Sequence, residues 1–152
     1  MKSSHRHIVK KADSTGVSEY QLVASAYRKL RRKLGHTVGC NVPILGRSAD
    51  LVYIDGINLV AVEFKLENWR RAIAQARDHR LAADYAYVCM PKRTLTREML
   101  SALIAAGVGL RFYSARGTWP FVTVLEAPRS EEIWPVARSW LWGYLDRDGR
   151  SE

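Results

Sequence analysis

Two apolar runs, ADLVYI (49–54) and NLVAVEFK (58–65), flank a turn that contains Asp55-Gly56. Asp-Gly between such runs is a strong hairpin signal, because glycine supplies the positive φ that tight turns need. Along the second run Ala61, Glu63 and Lys65 share one face, and Val60, Val62 and Phe64 the other. Apolar residues on both faces as far as Ala61 predict a central strand covered on both sides. Glu63 and Lys65 close that strand, and an unpaired buried charge costs several kcal/mol, so both need partners. A simple Glu–Lys ion pair near the surface is one solution.

Asp50 offers another. With a turn over Asp55–Asn58, residue 54 faces 59 and Asp50 faces Glu63, their Cβ atoms roughly 5 Å apart. A two-residue turn would shift Asp50 to face Ala61, and a three-residue loop would send it to the other face. Two carboxylates at that distance repel unless a divalent cation lies between them. Oxygen ligands with an open shell of waters are what Mg²⁺ selects.

The rest of the chain supplies helices and strands around this hairpin. Residues 18–35 carry a capping box at Ser18 and Gln21, an apolar stripe of Leu22, Val23, Ala26, Tyr27 and Leu30, and a stop at Gly35. Glu19 falls inside that stripe. Strands are predicted at 36–45, 85–90, 110–114 and 121–127, and helices at 67–84, 95–106 and 130–145. Pro43 weakens the end of the first strand. In the 67–84 helix, Ala72, Ala76 and Ala83 lie on one side with Trp69 and Ile73, a face that can approach a sheet closely. The last helix has an apolar stripe of Ile133, Val136, Ala137, Trp140 and Tyr144. Trp134 and Trp142 point elsewhere, toward either a homodimer interface or the 109–127 strands. The order α-β-β-β-α-β-α-β-β-α predicts an α/β domain built on a mixed sheet.

With 24 Lys and Arg against 15 Asp and Glu, the net charge is +9. A field of that sign favours polyanions, nucleic acid foremost. The basic, polar segment 1–16 reads as a flexible arm, and its lack of an apolar run argues for an intracellular protein. No apolar run reaches the roughly 18 residues that a membrane span needs. Cys40 and Cys89 lie in apolar segments and read as buried reduced thiols. Two cysteines and four scattered histidines make no zinc pattern, and no phosphate-binding glycine loop is present.

Asp50 at a strand start, followed by Glu63-Phe64-Lys65 on the next strand, resembles the PD-(D/E)XK nuclease superfamily. The predicted helix, three-strand meander, helix and strand over residues 17–90 are similar to its restriction-endonuclease-like core. Ala49 stands where the family often has proline. The resemblance implies one nuclease domain over 17–146 with a polar tail at 147–152, similar to small stand-alone Holliday-junction resolvases. It implies Asp50, Glu63 and the Phe64 carbonyl as ligands of Mg²⁺, with Mn²⁺ able to substitute, and Glu19 joining through water. Lys65 would position the attacking water or stabilise charge on the phosphate, and Gln75 would orient Lys65 or touch the backbone. His79, four residues after Gln75 where tyrosine is more usual, is grouped with the nucleic-acid contacts. Lys10, Lys11, Arg47 and Arg70, with Arg28, Arg31, Arg32 and Lys33, would track phosphates of DNA rather than RNA. The alternatives are a catalytically inactive nucleic-acid-binding module on the same fold and a protein–protein adaptor using the Trp-rich last helix.

Overall fold

Ser18 caps the first helix, α1 (Glu19–Leu34), in a reciprocal box: its Oγ accepts from the Gln21 amide at 3.1 Å and Gln21 Oε1 accepts from the Ser18 amide at 2.9 Å. Gly35, at φ 73, ends it. The structure, a computed structural model, describes residues 17–150. The 1–16 arm, with Lys10 and Lys11, lies outside the described residues.

Six strands follow in one sheet whose spatial order is the order of the chain: β1 (Val38–Ile44), β2 (Arg47–Asp55), β3 (Asn58–Phe64), β4 (Tyr85–Met90), β5 (Gly109–Tyr113) and β6 (Phe121–Leu125). The pairs β3–β4 and β4–β5 are parallel and the others antiparallel, so the sheet is mixed. Parallel neighbours need crossovers, which α2 (Trp69–His79) and α3 (Arg97–Ala106) provide. Pro43 is tolerated because β1 is an edge strand. The last helix is α4 (Pro135–Arg150).

Alternation along β3 divides the core in two. Val60, Val62 and Phe64 join Leu22, Ala26 and Leu30 of α1, while Ala61 and Leu59 join Ala137, Leu141 and Leu145 of α4. Ala72, Ile73 and Ala76 of α2 pack with Val88 and Met90 of β4 and Leu103 of α3. β3 is therefore covered on both faces, as its apolar run predicts. Each fully buried leucine contributes about 1.5–3 kcal/mol over leaving it exposed, and Leu30, Leu51, Leu59, Leu103, Leu110, Leu141 and Leu145 are all such residues.

Several expectations need correction. α2 stops at His79 rather than near 84, because Arg80, Leu81 and Ala82 turn back with amide bonds to Arg77, Asp78 and His79. α4 begins at Pro135, not 130: Ser130 is held in the preceding loop by its amide to Asp84 and its Oγ to the Arg80 carbonyl. It also runs through 147 to Arg150, where the sequence suggests a polar tail. Its buried stripe is Ala137, Leu141 and Leu145, leaving Val136 and Trp140 exposed. With Trp134, Pro43 and Leu45 they line an apolar groove of about 330 Å³. Trp142 packs toward β1 and β2, not the 109–127 strands. Cys89 is buried, but Cys40 is exposed. Among the described residues no helix is long and apolar enough to cross a membrane.

Candidate active site

The hairpin adopts the register that matters. Leu51 pairs with Val62, Ile54 with Leu59 and Asp55 with Asn58, with Gly56 (φ 63) in the reversal. One step beyond Leu51–Val62, Asp50 comes opposite Glu63. Asp50 Oδ2 also accepts the Phe64 amide at 2.8 Å, which fixes the carboxylate over the end of β3. Burial, and next the Glu63 carboxylate, push the Asp50 carboxyl up to about 7. The Phe64 hydrogen bond and the Lys65 charge oppose that shift but do not cancel it.

Glu63 is only 3% exposed, and its Oε1 lies 2.6 Å from His79 Nε2. His79 is itself 2% exposed, in the last turn of α2. A side chain sealed in the core cannot track a phosphate backbone, so the grouping of His79 with surface contacts is corrected. Sequence spacing places it correctly on the Gln75 edge of the helix, but not against Glu63. Gln75 is half-buried, and its Oε1 is buried without a hydrogen-bond partner.

Glu19 and Lys65 complete the cluster from the other side. Lys65 leaves β3 with its amide donating to the Cys89 carbonyl at 3.1 Å, and its Nζ lies 3.8 Å from Glu19 Oε2. Glu19 Oε1 accepts the Leu66 amide at 3.2 Å. The acidic residue in the apolar stripe of α1 thus ties that helix to the exit of β3. A cleft of about 390 Å³ opens here, lined by Glu19, Tyr20, Tyr27, Arg28, Asn41 and Asp50. Asn41 has φ 49 and sits at the break in the β1–β2 ladder opposite Asp50. Asparagine tolerates that conformation better than most residues, yet nothing in the sequence marks it as part of a site. Tyr20, 79% exposed, is equally unmarked.

The basic candidates divide by position. Arg47 and Arg70 line a separate hollow of about 640 Å³ over α2 and α3. Arg47 is paired with Asp78 at 3.0 Å and Arg70 with Glu98. Arg28 lines the Asp50 cleft, whereas Arg32 and Lys33 line a hollow of about 210 Å³ with Gly117 and Thr118. Arg31 donates to the Tyr27 hydroxyl at 3.1 Å.

Among the described residues, no three or more His, Cys, Asp or Glu side chains gather as a ready metal site. The Asp50–Glu63 pair nevertheless fits a hard divalent cation. Both donors are carboxylate oxygens, and their mutual repulsion helps to hold Asp50 partly protonated near neutral pH. Mg²⁺ keeps several waters and needs only one or two carboxylates. No family model matches the chain, and neither the curated proteins nor the solved structures include a match to it.

Proposed function

We propose that this chain is an intracellular divalent-metal-dependent nuclease that hydrolyses phosphodiester bonds in DNA. One observation carries the reading: the hairpin brings Asp50 opposite Glu63 at the end of a covered strand, with Lys65 following. Support comes from the order α1, three-strand meander, α2, β4 over residues 19–90, which is the order the PD-(D/E)XK resemblance implies. The net charge of +9 suits a polyanionic substrate.

Asp50, Glu63 and the Phe64 carbonyl would hold Mg²⁺ or Mn²⁺, with Glu19 reaching it through water. A bound divalent cation supplies Lewis-acid polarisation of the phosphate and lowers the pKa of a bound water. The Phe64 N–H orients Asp50 for that task. Lys65, kept at the cleft by Glu19, stabilises negative charge on the phosphate or positions the attacking water. Arg28 lies on the same cleft wall, placed to meet a flanking phosphate.

Cleavage of labelled single-stranded, duplex, flap and four-way-junction DNA, with Mg²⁺, Mn²⁺ or EDTA, tests this. Metal-dependent cutting that vanishes in Glu63→Ala is the expected result. A second reading, binding without chemistry, is favoured by the deep burial of Glu63 against His79. Tight DNA binding with no cutting under any metal would establish it instead.

A further inference from the structure

We infer that His79 is a positioning residue for Glu63, holding one carboxylate oxygen in the core so that the other stays turned toward Asp50. This rests on the nuclease reading and names how its metal site is kept in shape. The two side chains come from different elements, β3 and α2, and are both almost fully buried. Their separation of 2.6 Å is that of a strong, charge-assisted bond.

The surroundings make this bond the reason for the histidine. The other buried residues of α2 are Ala72, Ile73 and Ala76, so the helix otherwise turns an apolar, small-residue face to the sheet. His79 Nδ1 is buried and has no hydrogen-bond partner. The imidazole thus makes its one side-chain hydrogen bond to Glu63 and leaves its second nitrogen unsatisfied. Replacing a buried polar pair by apolar side chains is often neutral for stability. Stability alone therefore does not account for a half-satisfied imidazole here. Orientation does: with Oε1 fixed by Nε2–H, rotation about the end of the Glu63 side chain is suppressed. Its other oxygen would then be ready to share a cation with Asp50 at little ordering cost. Partners that orient ligating side chains in this way typically affect metal affinity by about 10–100-fold.

Mn²⁺ binding to the full chain, followed by calorimetry, tests the inference. His79→Leu should weaken Mn²⁺ binding by about 10–100-fold. His79→Gln, whose amide nitrogen can occupy the place of Nε2, should restore most of it, a rescue that a purely packing role would not show. A measurement on the wild-type protein covers the case in which His79→Leu fails to fold. Adding Mg²⁺ should shift the His79 Nε2 resonance in imidazole ¹⁵N spectra and leave that of His36 in place. Wild-type affinity in His79→Leu, or an unmoved Nε2 resonance in a chain that does bind Mn²⁺, overturns the positioning role alone. A wild-type chain that binds no Mn²⁺ overturns the nuclease reading with it.

Discussion

Asp50 Oδ2 accepts the Phe64 amide at 2.8 Å, and the residue before Phe64 is the carboxylate that Asp50 faces across the hairpin. One strand end therefore both anchors Asp50 and opposes its ionisation. The balance leaves its carboxyl at about 7, well above the ordinary 3.8. A carboxyl with a raised folded-state pKa stabilises the fold fully below the unfolded value and loses that contribution as pH rises through the folded one. The metal-free chain should therefore lose stability between about pH 4 and pH 7 through this group. Asp50→Asn should raise the melting temperature in EDTA at pH 8 and change it much less at pH 4. A wild-type and mutant pair with parallel pH profiles would contradict the coupling.

If the chain is the proposed metal-dependent nuclease, the same titration should set its metal binding. A proton must leave the pair before two carboxylates can share a cation. Mn²⁺ affinity should fall as pH drops from 8 to 6, with the break near 7 where Asp50 gains its proton. Proton release on binding should be measurable at pH 6.5 and small at pH 8.5. Calorimetry in buffers of different ionisation enthalpy reads it directly.

In the proposed nuclease, a change at Lys65 should separate metal binding from chemistry. Its Nζ sits 3.8 Å from Glu19 and is mostly covered, so it is held rather than free. Lys65→Ala should leave Mn²⁺ affinity near wild type while slowing single-turnover cleavage by about 10²-fold or more. Equal losses in both would make the lysine part of the metal's support instead.

The hairpin is legible in the sequence because its information is local. Asp55-Gly56 marks a tight turn, and of the three pairings that the sequence leaves open the chain takes the one in which Asp55 faces Asn58 and Asp50 comes against Glu63. The box at Ser18 and the stripe on α1 are legible for the same reason. What the sequence conceals depends on how helices lie across the sheet. Along α4 the positions 136/140 and 137/141/145 are both apolar, and only docking on β1 and β2 selects the second. His79 has the helical spacing of a neighbour to Gln75, but its partner is set by where α2 crosses β3. Arg47 and Arg70 read as free cations in sequence, whereas Asp78 and Glu98 already neutralise them.

That neutralisation yields a prediction about DNA affinity. Arg28, Arg32 and Lys33 belong to α1 and line hollows, two of them beside the loop at Gly117. Each phosphate that the protein ceases to neutralise should reduce the slope of log affinity against log salt by about 0.9 on duplex DNA. Charge removal at Arg32 and Lys33 should lower both affinity and slope. Arg47→Ala and Arg70→Ala should change the slope less, because their charges are partly satisfied within the chain. Fluorescence anisotropy across a salt series distinguishes the two sets.

Asp84 holds the opposite end of the hairpin strand. It is buried and accepts the Leu59 amide at 2.7 Å, while Arg138 donates to both its oxygens and Arg129 lies 3.5 Å away. Burial works to raise its pKa, but the Arg138 and Leu59 hydrogen bonds outweigh it and hold the carboxyl below the usual 3.8. A depressed carboxyl stabilises the fold above the unfolded value and loses that contribution in acid. Asp84→Ala should cost about 3 kcal/mol at pH 7, since it strands a buried amide and removes the anion that fixes α4 to the start of β3. The deficit should begin to shrink as pH falls below 3.8, where the unfolded chain's carboxyl takes up a proton that the folded one still resists. Urea unfolding at pH 7 and pH 3 measures both values. The site residues lie at the other end of β3, so Asp84→Ala that remains folded should bind Mn²⁺ as wild type does. A matching loss of metal affinity would mean that the strand moves as one piece, and that Asp50 and Glu63 depend on an anchor at the far end of β3, where Leu59 meets Asp84.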